Sequence, residues 1–180
     1  MTKSKPSFDP AALPPEYMSD FERECSSAAG PKSHFLYPGQ VFASRENLSI
    51  STILGSCAAV CLWDKRKKIG GMNHYLLPEG EENSANPYRY GNFANEALLN
   101  KLLALGCERK DLQGKIFGGA SQFSADPENS LGSQNVRLAE EFLQKSHIPL
   151  LLTDVSGKRG RRLTFHTSDG TTSIRVFDKV

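Results

Sequence analysis

No stretch of this 180-residue chain approaches the roughly 20 consecutive apolar residues that a membrane-spanning helix requires. Direct membrane insertion is therefore not expected. Charge of either sign is also nearly absent as a net quantity, because 22 Lys and Arg face 20 Asp and Glu for a formal +2. That balance lacks the basic excess of a nucleic-acid binder. Cysteine is scarce: four residues, Cys25, Cys57, Cys61 and Cys107, stand at irregular spacings. They make neither a disulfide framework nor the paired spacings of a structural zinc site. With no signal peptide in view, the expected compartment is the reducing cytoplasm, and no metal or organic cofactor is expected.

What is present is unevenly distributed. Six of the ten prolines lie by residue 38, among serine, alanine and charged residues. Residues 1–34 are accordingly expected to be a flexible leader with a short helix near Pro15 to Cys25, and residues 35–180 a single globular domain. Within that domain Leu48 to Leu54 reads as a strand, and the segment from Asn92 carries Ala94, Ala97, Leu98, Leu102 and Leu105 at helical spacing, with Gly106 as its stop. Lys115 to Phe117 is a short strand ending in Gly118-Gly119. Ser133 is expected to cap a second helix bearing Val136, Ala139, Phe142 and Leu143, and Leu150 to Val155 to form a fully buried strand. A C-terminal hairpin turns at Ser168-Asp169-Gly170. The expected fold class is mixed α+β, with helices packed on a mainly antiparallel sheet.

The chemically informative segment is Thr52-Ile53-Leu54-Gly55-Ser56-Cys57, followed by His74 in Gly70-Gly71-Met72-Asn73-His74. Between them an apolar run, a charged turn and a returning run make a β-hairpin. With Asp64 to Lys67 as its loop, Trp63 faces Lys68, and the same register sets Cys57 directly opposite His74. A histidine beside a cysteine activates it as a nucleophile, and an ion pair between them would hold the thiol pKa below its free value of about 8.5. Gly55 and Ser56 supply a tight turn whose backbone N–H groups suit an oxyanion. Cys61 and Cys107 are expected to fill core. His34, His147 and His166 have no derived cysteine partner.

Several segments, in order, carry a family resemblance: TILGSCAAVCLWD, GGMNHYLLP, Lys115 to Ala120, Gly132-Ser133-Gln134-Asn135-Val136, Asp154 to Arg162, and Phe165-His166-Thr167. Together they resemble the chemoreceptor glutamine deamidase family, CheD. The resemblance implies hydrolysis of receptor glutamines to glutamates, with Cys57 as nucleophile, His74 as base and a threonine upstream as third member. Thr52 is the candidate for that third position, with Ser51 as the alternative because some relatives carry the threonine one residue further away. It implies methyl-accepting chemotaxis receptors as partners. Attack by Cys57 on a glutamine would pass through a thioester, and the same thioester formed from a glutamyl methyl ester would add receptor methylesterase activity. Two competing readings are another cysteine-dependent amidase or transglutaminase-like enzyme, and a non-enzymatic module that binds a CheC-type phosphatase. The basic runs at 65–68 and 158–162 would steer the protein toward acidic receptor helices.

Overall fold

The structure, a computed structural model, describes residues 32–81, 83–121 and 124–177. The expected leader helix near Pro15 to Cys25 lies outside the described residues. Nine strands are present among them: β1 (Lys32–Phe35), β2 (Gln40–Ser44), β3 (Leu48–Leu54), β4 (Ala58–Asp64), β5 (Ile69–His74), β6 (Leu112–Gly118), β7 (Leu150–Val155), β8 (Arg161–His166) and β9 (Thr172–Val176). They form a four-stranded sheet in the order β1-β3-β8-β9 and a five-stranded sheet in the order β2-β5-β4-β6-β7. The pairs β2/β5, β3/β8, β4/β5, β4/β6 and β8/β9 are antiparallel, and β6/β7 is parallel. The mixed, mainly antiparallel class expected from sequence is therefore observed, but with the strands divided between two sheets.

Alternation along the strands explains the layering. In β4, Ala58, Val60 and Leu62 belong to one apolar cluster, while Ala59 and Cys61 belong to the other. The first cluster includes the helical residues Leu98, Leu99, Ala139 and Leu143; the second includes Ile50, Leu54, Leu163 and Phe165 of the smaller sheet. The five-stranded sheet is thus buried on both faces, between a helical layer and the four-stranded sheet.

Helix α1 (Gly91–Ala104) buries Gly91, Ala94, Asn95, Leu98, Leu99 and Leu102, and helix α2 (Leu131–Lys145) buries Gly132, Asn135, Val136, Ala139, Phe142 and Leu143. Both stripes follow the three-and-four spacing that places side chains on one helical face. Gly106, at φ +85°, ends α1 as expected, with Cys107 N–H returning to the Leu102 carbonyl. Ser130, rather than Ser133, caps α2: its hydroxyl accepts from Ser133 N–H at 3.2 Å. The helix starts earlier than expected because Ser130 carries the extended backbone of a cap (φ −61°, ψ 158°), whereas Ser133 is already inside the first turn.

Two further expectations are corrected. The hairpin loop is Lys65 to Lys68, with Asp64 paired to Ile69. Asp64 Oδ1 accepts from both Arg66 N–H and Lys67 N–H at 2.9 Å, so the aspartate closes the turn as the last strand residue, and Lys68 takes a left-handed φ of 59°. The strand β7 is not buried: Leu150, Leu151 and Leu152 are all exposed, because β7 is the edge strand beyond β6.

Candidate functional site

The altered hairpin register has a direct consequence for Cys57 and His74. Partners now run Cys61–Met72 and Leu62–Gly71, and the last mutual backbone pair is Ala58–Tyr75, with N···O distances of 3.1 and 3.0 Å. Continued by one residue, this register sets Leu76, not His74, across from Cys57. His74 becomes the diagonal neighbour, at a spacing of roughly 7–8 Å in a regular ladder. The shift moves each partner by two positions, so both residues keep the face turned toward the four-stranded sheet. Cys57 packs against the cluster between the two sheets, and His74 reaches a residue of the other sheet.

That residue is Thr52. Ile50, Thr52 and Leu54 of β3 are buried on the inner face, whereas Ile53 is exposed. From there Thr52 Oγ1 stands 2.8 Å from His74 Nδ1 and donates to the Leu36 carbonyl at 2.7 Å. A hydroxyl has one proton to give. Since Thr52 spends it on Leu36, its oxygen accepts from His74, which places the imidazole proton on Nδ1. Nε2 is then left as a bare lone pair, and it is buried with no partner among the described residues. Ser51, the alternative third residue, is also buried, but its hydroxyl has no partner among the described residues.

Gly55, Ser56 and Cys57 form the turn between β3 and β4, and its carbonyls are tied inward. The Gly55 carbonyl accepts from Ala120 N–H at 2.8 Å, the Cys57 carbonyl from Gly119 N–H at 2.8 Å, and the Ser56 carbonyl from Asn135 Nδ2 at 3.0 Å. Gly55 leaves open space where a Cβ would stand. A cleft of about 330 Å³ begins there, bounded by Gly55 and Ser56, by Ala120 and Ser121, and by Leu131 at the start of α2.

Burial sets the ionisation. It pushes the Cys57 thiol above its ordinary value, opposed by the N–H groups of Cys57 and Gly55, and it pushes His74 down to about 4, opposed by the Leu36 carbonyl. Both shifts favour a neutral thiol and a neutral imidazole, in place of the standing ion pair and lowered thiol pKa expected from sequence. Cys61 and Cys107 are buried, and burial raises both thiols as well. Among the described residues, no three His, Cys, Asp or Glu side chains stand together to hold a metal ion.

The remaining histidines lie elsewhere. His34 stacks on Phe42 at 4.0 Å, His166 Nδ1 lies 2.9 Å from Ser49 Oγ, and His147 occupies the left-handed position (φ 55°) that ends α2. Sequence reasoning gave no role to Asn135, which touches both the Ser56 and Leu76 carbonyls. A signal was available: asparagine on the apolar stripe of a helix has to find buried partners.

A three-layer α/β/β fold thus turns a cysteine, and a histidine bonded to a threonine, toward the layer between its two sheets. Comparison with known proteins supplies the family. The profile described as CheD chemotactic sensory transduction matches residues 76–176. A protein of Xanthomonas axonopodis pv. citri named as a probable chemoreceptor glutamine deamidase CheD is 40% identical over 135 residues, 75% of this chain and 68% of that protein. A protein of Stenotrophomonas maltophilia with the same name has the same identity and coverage. Another so named, from Sulfurimonas denitrificans, is 35% identical over 147 residues, 81% of this chain and 94% of its own length. The chain belongs to the CheD family.

Proposed function

We propose that this protein is a hydrolase that converts glutamine side chains of chemoreceptors to glutamate, with Cys57 as nucleophile. The names of its relatives support the reaction class and the receptor as partner. The observation that carries the assignment of residues is the contact between Thr52 Oγ1 and His74 Nδ1, which leaves a bare, buried Nε2 on the same inter-sheet layer as the Cys57 thiol.

The chemistry follows from the neutral pair. As sulfur attacks the carboxamide carbon, the thiol proton passes to His74 Nε2, so the thiolate is formed in the attack itself and does not have to persist. The oxyanion is held by N–H groups of the Gly55-Ser56-Cys57 turn, which its inward-tied carbonyls orient. The C–N bond then breaks, Nε2–H protonates the departing nitrogen, and ammonia leaves a glutamyl thioester on Cys57. Water attacks the thioester while giving a proton to Nε2. Release of glutamate returns that proton to sulfur. Thr52 keeps the Nδ1 proton in place throughout and spreads the imidazolium charge toward the Leu36 carbonyl.

A receptor glutamyl methyl ester reaches the same thioester with methanol as leaving group, so methylesterase activity belongs to the same proposal. Residues 35–180 are assigned to the catalytic unit and 1–34 to a leader. The proposed compartment is the cytoplasm, in keeping with the free thiols of Cys57, Cys61 and Cys107. Among the described residues, no helix is long and apolar enough to cross a membrane. The competing reading, a regulatory module that binds a CheC-type phosphatase without chemistry of its own, gives no reason for a partly buried free thiol on the same inter-sheet layer as an unpartnered imidazole nitrogen. Mass mapping of a receptor cytoplasmic fragment incubated with the protein tests the proposal. Amide-to-acid conversion at discrete glutamines is expected, and an unchanged peptide map would reject it.

A further inference from the structure

We propose that Asn135 is a positioning residue that fixes the spacing between the cysteine turn and the histidine strand. Ladder bonding between β4 and β5 ends at Ala58–Tyr75, and Leu76 N–H has already turned away to the Arg89 carbonyl at 2.9 Å. Cys57 and His74 flank this point, so no further backbone bond holds them together on the outer side. Asn135 takes that place. Its Nδ2 donates to the Ser56 carbonyl at 3.0 Å and to the Leu76 carbonyl at 2.9 Å, one N–H for each. A third tie reinforces the clamp: the Tyr75 hydroxyl donates to the Asn135 carbonyl at 2.6 Å. One helical residue thereby grips the residue before Cys57 and the two residues after His74.

The side chain acts only as a double donor. Asn135 is fully buried, and its Oδ1 has no partner among the described residues. Aspartate has the same shape but, when ionised, no proton to donate, and it would face two carbonyl oxygens. Protonated aspartate regains one donor. Close packing holds the helix where the clamp needs it: a Cβ on Gly132 would stand 2.4 Å from the Gly119 carbonyl oxygen, and one on Gly119 2.4 Å from Val136. Gly119 N–H in turn holds the Cys57 carbonyl.

The proposal rests on the Cys57–His74 reading above, and its test has an arm that needs no receptor. Asn135→Ala and Asn135→Asp are compared with the wild-type protein for kcat and KM on a receptor fragment, and for alkylation of Cys57 by iodoacetamide. Circular dichroism establishes that each variant is folded, and Asn135→Ser, which keeps one donor, replaces any variant that does not fold. The expected result is a kcat lowered roughly ten- to a hundredfold at unchanged KM, the scale of a small misplacement of reacting groups. Cys57 alkylation is expected to slow in parallel. Relative to wild type, Asn135→Asp is expected to recover as pH falls and its carboxyl takes up a proton, whereas Asn135→Ala does not. A folded Asn135→Ala with kcat and alkylation rate within twofold of wild type would overturn the proposal, as would a loss confined to KM. Should the wild type leave the receptor unchanged, the deamidase reading fails, while the alkylation arm still decides the clamp.

Discussion

Thr52 and His74 lie in different sheets, yet Thr52 Oγ1 approaches His74 Nδ1 to 2.8 Å. The contact ties the two β-layers together at the point where the reaction is proposed to occur. With the hydroxyl hydrogen given to Leu36, the contact puts the imidazole proton on Nδ1.

Removing that acceptor should cost turnover more than stability. Thr52→Ala is expected to lower kcat by roughly ten- to a thousandfold, the range for one positioned hydrogen bond, and Thr52→Ser should restore most of it. Ser51→Ala removes a buried hydroxyl without a partner among the described residues, so activity should be retained and thermal stability unchanged or slightly raised. Steady-state kinetics with melting curves on the three variants checks the ranking.

The pH dependence follows from the direction of the two shifts. With His74 depressed to about 4, the acid limb of kcat/KM should fall near pH 4, not near the ordinary histidine value of 6.5. Cys57 alkylation should show no mildly acidic plateau and should rise toward alkaline pH, because burial raises the thiol. Stability is linked to the same group. Between about 4 and 6.5 the unfolded chain binds a proton on His74 that the folded chain does not, so stability is complete above 6.5 and declines as pH falls toward 4. The loss is on the order of 3 kcal/mol. Chemical denaturation across this window should give a shallower slope for His74→Gln than for wild type.

The strand end behind Cys57 is equally constrained. Gly118 has φ +102°, and a Cβ there would stand 2.2 Å from the Cys57 carbonyl oxygen. Gly118→Ala should destabilise the fold by at least about 1–2 kcal/mol through the left-handed backbone alone. Because the clash falls on the cysteine turn, kcat should drop further than the lost stability explains. Activity measured well below the melting temperature separates the two effects.

Elements whose cause is local were legible in the sequence. The apolar stripes of both helices, the Gly106 stop, the β3 strand and the C-terminal hairpin all follow from spacing and turn chemistry over a few residues. The hairpin register was not legible, because it turned on Asp64 using its carboxylate to close the turn and on Lys68 adopting a left-handed conformation. Leu150 to Leu152 read as buried because an apolar run before a turn does not reveal whether a further strand lies beside it. At the site, the cysteine turn and the histidine could be read along the chain, and their shared face survived the register error because the error was even. The contact of Thr52 with His74 across the sandwich has no signature in local periodicity; it entered only through family resemblance. The split into two sheets, which makes that contact geometrically available, was hidden for the same reason: β1 and β2 are short strands with weak alternation.

The most direct test of the account is deamidation of a receptor cytoplasmic fragment, followed by peptide mass mapping, with Cys57→Ala beside Cys61→Ala and Cys107→Ala. Cys57→Ala is expected to abolish conversion of glutamine to glutamate while remaining folded. The other two variants should retain it, with any loss traceable to the core they vacate. Undiminished conversion by folded Cys57→Ala would contradict the mechanism at its first step.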